Sequence, residues 1–153
     1  MKQIFLLGVV LSLLLHATLN RTVNGTVTDS ITQLEWQDDY NNTTNTLQDA
    51  NWTDAINYCE NLLLDGRSDW RLPDYNELLS LYEFNQGRPF LSTVFQAQNS
   101  TQTNYFSSTT HVDTPAFSGQ GYAWSIEFNS VSGGIGTGHT AKNSHATVRC
   151  VRN

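Results

Sequence analysis

Two cysteines, three histidines in the second half of the chain and a few carboxylates and hydroxyls are the side chains whose types and spacing bear on chemistry. Cys59 and Cys150 stand 91 positions apart, and neither has a second cysteine or histidine at metal-ligand spacing. For a chain bound for an oxidising compartment, a single disulfide is the economical reading, with two free thiols or a metal pair as the alternatives. His111, His139 and His145, with Asp113 close to the first, are of the types that coordinate zinc or copper. Their spacings of 28 and then 6 residues match no compact metal motif, so solvated loop histidines are expected and no metal or other cofactor is assigned.

Asp38 and Asp39 form an acidic pair of the kind used in acid-base or calcium chemistry, yet no EF-hand spacing surrounds them and an Asn/Thr-rich stretch follows. A solvated turn is expected there. Arg71, preceded by Asp69 and Trp70, offers an anion hook beside an aromatic platform; a lone arginine between an aspartate and a capped helix more often ties loops together, and the tryptophan more often joins a core. Ser107, Ser108 and Ser125 lack the Gly-x-Ser-x-Gly context of a nucleophile elbow. Gly133, Gly134, Gly136 and Gly138 precede no Gly-Lys-Ser/Thr and open no helix, so they form no phosphate loop.

Holding such side chains requires a frame, and the hydrophobic period supplies one. Trp52, Ala55, Ile56, Cys59, Leu62 and Leu63 follow a helical stripe, with Asn51 as N-cap, Asp54 at the third position and Gly66 as the stop. Asp74 and Glu77 stand at capping-box spacing ahead of a second helix whose apolar face holds Tyr75, Leu78, Leu79 and Tyr82. Before the helices, Thr22 to Gln37 reads as two short strands in a hairpin, and Asp38 to Asp49 as an exposed polar loop. After them, residues 105–109, 122–128 and 147–152 read as strands, the last carrying Cys150, while 129–144 reads as one long loop. Two helices and several short strands make an α+β domain.

The amino-terminal seventeen residues belong to a different category. Lys2 followed by an apolar run from Ile4 to Leu15 and the small residue Ala17 is the pattern of an export signal, too short to span a bilayer. Cleavage after Ala17 would leave residues 18–153 as a single domain with 7 basic and 14 acidic residues, a net charge of −7. That charge argues against a nucleic-acid partner. No second long apolar run follows, so no transmembrane anchor is expected, and no cysteine near Ala17 provides for a lipid anchor.

The order of short motifs is informative as well. Thr28-Asp29 precedes Leu34-Glu35-Trp36-Gln37, then come Trp52-Thr53-Asp54-Ala55, Tyr58-Cys59, Asp69-Trp70-Arg71-Leu72-Pro73 and Glu77-Leu78. Tyr105-Phe106-Ser107-Ser108-Thr109, Ala123-Trp124-Ser125 and Val148-Arg149-Cys150-Val151-Arg152 complete the series. In this order they resemble the Lcl C-terminal domain family, the module named after the C-terminal part of a bacterial collagen-like adhesin. The resemblance covers nearly all of residues 18–153. It implies a C-type-lectin-like fold of two helices packed on a small, mostly antiparallel sheet with a long loop region, and a disulfide from the first helix to the last strand, which suits Cys59 and Cys150. Calcium-dependent lectins of that fold carry Glu-Pro-Asn or Gln-Pro-Asp and Trp-Asn-Asp tripeptides, none of which occurs here, and residues 18–153, with one lysine and net −7, suit a sulfated ligand poorly.

The expected function is therefore a non-enzymatic recognition or adhesin-type module, secreted, periplasmic or at the cell surface, that binds a surface glycan or an extracellular protein. Loops 111–122 and 129–145 are the expected ligand-facing set. Tyr122, His139 and Lys142 are its candidate contacts, each offering a stacking face or a donor among small residues. The alternatives are an enzyme or enzyme-accessory domain of the formylglycine-generating type, which would need a pocket with a perturbed acid or base, and a structural part of an envelope assembly.

Overall fold

In a computed structural model, which describes residues 18–40, 46–83, 91–97, 104–112, 121–128 and 136–153, the expected hairpin of Thr22 to Gln37 forms as two antiparallel strands, and a further strand ahead of it extends the pair. The expected export segment 1–17, Asp113, Gly133, Gly134 and the centres of the expected ligand loops lie outside the described residues. Strands β1 (Leu19–Arg21), β2 (Thr26–Asp29) and β3 (Glu35–Gln37) run as an antiparallel meander. The β1–β2 turn depends on Gly25: its φ is +80°, and a Cβ there would lie 2.3 Å from Asp39 Cβ. The β2–β3 turn is closed by the Asp29 carboxylate, which accepts from the Ile31 N–H and the Thr32 hydroxyl.

The ends of the expected loop Asp38 to Asp49 are not what its composition indicates, and residues 41–45 lie outside the described residues. Asp38 and Tyr40 are buried, and the stretch ends in strand β4 (Gln48–Ala50). Helix α1 (Trp52–Glu60) begins as expected, with the Asn51 side chain accepting from the Asp54 N–H. It ends earlier than the apolar stripe does. Asn61 is its C-cap, and Gly66, at φ +68°, serves a separate turn between Leu64 and Arg67 while Leu62 and Leu64 stay buried outside the helix.

Helix α2 (Tyr75–Ser80) has the complete reciprocal capping box of Asp74 and Glu77. Glu77 also takes a two-pronged bond from Arg71, which holds its carboxyl below the usual carboxylate range. A lowered carboxyl pKa stabilises the fold above the ordinary carboxylate range, and that contribution is lost as pH falls through the lowered value. Asp74→Ala should reduce stability by about 1 kcal/mol in urea unfolding, the usual worth of an N-cap.

Strands β5 (Asn104–His111), β6 (Tyr122–Glu127), β7 (Gly136–Ala141), β8 (Ala146–Val148) and β9 (Val151–Arg152) complete the chain. Two sheets form instead of the single one expected, in the orders β1-β2-β3-β9 and β4-β8-β5-β6-β7, and the pairing is antiparallel except between β5 and β8. The expected closing strand 147–152 is split, because β8 and β9 join different sheets. β7 occupies part of the expected loop 129–144; its sequence Gly-Thr-Gly-His-Thr-Ala has too little β-propensity to announce a strand, and pairing with β6 creates it.

Alternation along β5 and β6 divides the interior into two clusters. Tyr105 and Ile126 join Val27, Trp36, Leu78, Phe95 and Val151 in one, while Phe106 and Ala123 join Ala55, Cys59, Trp70 and Val148 in the other. The five-stranded sheet thus carries apolar side chains on both faces, with α1 covering one. Cys59 on the buried face of α1 is disulfide-bonded to Cys150, whose Cα lies 5.5 Å away. Among the described residues no helix is long and apolar enough to cross a membrane.

Candidate functional site

Tyr122 and Trp124 are two residues apart on β6, so their rings project from the same face of the sheet. The ladder sets His139 of β7 opposite Trp124 and His111 of β5 opposite Tyr122. The result is a continuous row of rings. Tyr75 of α2 lies 5.3 Å from Trp124, Trp124 4.6 Å from His111, His111 4.5 Å from His139 in a stacked arrangement, and His139 5.0 Å from Tyr122. His139 is exposed, and the other four rings are half-buried. Among the described strands β7 is the last of its sheet, which places the His139 end of the row at that margin.

Two of the three residues singled out in the sequence therefore meet. Lys142 does not join them. Its ammonium lies 3.7 Å over the Trp52 ring of α1 and donates to the Thr110 hydroxyl, on the side of the sheet that α1 covers. There it borders an open hollow of about 440 Å3 lined by Asn51, Thr53, Asp54, Lys142 and Asn143. Asn51 and Asp54 are already bonded to each other as the helix cap.

Trp124 and Tyr75 enter the row without having been singled out as ligand contacts, and His111 had been weighed only as a metal ligand. The clue in the sequence was the two-residue spacing of Tyr122 and Trp124 within an expected strand, which places both rings on one face. His111 and His139 meet only because β5 and β7 flank β6, a pairing that no local pattern announces. His145, the third candidate metal ligand, is elsewhere, with Nδ1 3.1 Å from Asp49 Oδ2. Among the described residues no three His, Cys, Asp or Glu side chains gather as a metal site.

Asp38, the first of the acidic pair, has a different fate from the solvated turn expected of it. Asp38 is fully buried and accepts from the Gln96 and Ala97 N–H groups, each at 2.9 Å, as well as from Arg21. Arg149, 1% exposed, approaches the same carboxylate at 3.4 Å. Arg149 also donates to the Gln37 and Ala97 carbonyls and lies 4.2 Å from the centre of the Phe95 ring. This is a structural hub that pins residues 95–97 to the strand ends. The hydroxyls of Ser107 and Ser125 are likewise used inside the sheet, on the Trp124 carbonyl and the Thr140 hydroxyl.

The family model for the Lcl C-terminal domain matches residues 25–152. The chain belongs to the Lcl C-terminal domain family. Among curated proteins, none matches it. In this Lcl C-terminal domain the segments with the clearest motif character build the frame. Trp70 is buried with its Nε1 donating to the Leu64 carbonyl, and Arg71 holds Glu77 and Asn153. Arg152 bridges Glu35 and Asp69. The anion hook suggested by Asp69-Trp70-Arg71 is thus taken up by internal ties, and the ring row stands apart from them.

Proposed function

We propose that this Lcl C-terminal domain is an exported, non-enzymatic recognition module of the C-type-lectin-like type, which works outside the cytoplasm by binding a surface glycan or an extracellular protein. The observation that carries the reading is the ring row on β5, β6 and β7: side chains suited to contact, gathered on the last described strands of a sheet and held by a disulfide-tied frame. Export is supported by the amino-terminal apolar segment and by the Cys59–Cys150 bond, which belongs to oxidising compartments. The lectin-like topology is supported by two helices on mostly antiparallel sheets, with α1 bonded to the carboxyl-terminal region.

A screen of glycans and surface proteins against the purified domain, with and without chelator, tests the reading. Binding is expected to survive chelation and to fall on Tyr122→Ala or His139→Ala while the melting temperature stays unchanged. Binding that disappears with chelator, or that depends on Arg67 and Arg71 in place of the row, would refute this placement. Absence of any ligand in the screen would refute the recognition role.

A further inference from the structure

We infer that the ligand of the ring row is an uncharged saccharide, seated against Tyr122, Trp124 and His139 where β7 is the last described strand of the five-stranded sheet. The inference rests on the recognition role proposed above and narrows it to one ligand chemistry. Three independent features support it: the size of the row, its chemistry and the distribution of charge.

Size comes first. Three adjacent strands span about 10 Å, and the two-residue step from Tyr122 to Trp124 adds about 7 Å in the other direction. That footprint fits one or two sugar rings, whereas a stable protein partner covers roughly 800 Å2 on each side. Tyr75 closes the row where α2 packs against β6, while β7, the last described strand, carries the other end. His139 is the exposed ring of the row, so a ligand lies against that end and reaches Tyr122 and Trp124 from there.

The chemistry matches a pyranose. A sugar ring has an apolar C–H face and a rim of hydroxyls, each of which both donates and accepts. Aromatic faces answer the first, and imidazole nitrogens, which hydrogen-bond to hydroxyls, answer the second. Thr137, exposed and two positions from His139 on β7, places a hydroxyl on the same face.

Charge then excludes the sulfated and uronic polymers. Of the five described arginines, Arg21, Arg71, Arg149 and Arg152 are bound to carboxylates. Lys142 is committed to Trp52 and Thr110. Arg67 lies in the turn after α1, where the Leu64 and Arg67 backbones bond to each other. A polyanion would meet a domain of net charge −7 whose described cations are largely occupied.

The test is titration of the full exported domain, read by calorimetry and tryptophan fluorescence, with maltohexaose, cellohexaose, chitohexaose, mannohexaose and a β-galactan hexamer, and with heparin as the sulfated comparison. At least one neutral oligosaccharide should bind with an affinity that is nearly the same in low and high salt. His139→Ala and Tyr122→Ala should each weaken that binding by about tenfold, corresponding to about 1.4 kcal/mol, and Tyr122→Phe should retain it. His139 is exposed, so its substitution reports on binding even if Tyr122→Ala compromises folding.

Binding of heparin alone, with an affinity that falls steeply as salt rises, would overturn the inference and leave the recognition role standing. A protein ligand with no saccharide binding would do the same. Neutral-sugar binding that is indifferent to both alanine variants would also overturn it, since the site would lie elsewhere. Failure of all five neutral oligosaccharides overturns the inference by itself, whereas the recognition role fails only if the wider screen is empty too.

Discussion

Arg149→Met is expected to lower the unfolding free energy by about 3 to 5 kcal/mol, the usual cost of removing one member of a buried ion pair. The guanidinium is buried among Asp38, the Gln37 and Ala97 carbonyls and the Phe95 ring, so its loss leaves a buried carboxylate and two carbonyls with fewer partners. Arg21 still bonds to Asp38 from a partly exposed position, which places the effect toward the lower end of that range. Urea unfolding at constant m-value is the measurement. Pairing the change with Asp38→Asn should recover part of the loss, because the orphaned charge is then removed. A loss below about 1 kcal/mol in the single variant would mean that water reaches the hub and that Asp38 behaves as a surface carboxylate.

Opening the Cys59–Cys150 bond should be comparably damaging. The bond closes a loop of 91 residues. On a chain-entropy account a loop of that length is worth about 4 to 5 kcal/mol, and measured losses for native disulfides run from about 2 to 5 kcal/mol. The paired variant Cys59→Ala with Cys150→Ala removes the cross-link without leaving a reactive thiol, and both side chains are fully buried, so loss of packing adds to the effect. Thermal unfolding of the double variant against the parent, with non-reducing peptide mapping of the parent, checks it. An unchanged melting temperature would show that the bond contributes nothing to the fold. Loss of ligand binding in a variant that still melts cooperatively near the parent temperature would assign the bond to the site instead.

Both predictions concern contacts between distant parts of the chain, and the sequence discloses such contacts unevenly. The cysteine pair was legible because a chain with two cysteines has only one intramolecular pairing available. The Asp38–Arg149 pair was not. The two residues are 111 positions apart, and Asp38 stands at the start of a polar stretch that looks solvated by composition. Arg149 falls within an alternating segment that reads as one strand, although the change of sheet between β8 and β9 occurs at that point.

The helix starts at Asn51 and Asp74, the apolar face bearing Cys59, and the positions of β5 and β6 were set by signals within a few residues of each other: side-chain caps, helical period and strand alternation. Those effects are local, so the sequence by itself determines them. The division into two sheets, the existence of β7 and the meeting of His111, Trp124, His139 and Tyr122 depend on which strands pair and in what register. The rings of Tyr122 and His139, singled out by their chemistry, meet in the fold, whereas Lys142, equally plausible by type, was drawn to Trp52 by the packing of α1. Only the tertiary structure decides such outcomes, because ladder bonds and burial are shared between segments far apart in the chain and no residue carries that choice in its own neighbourhood.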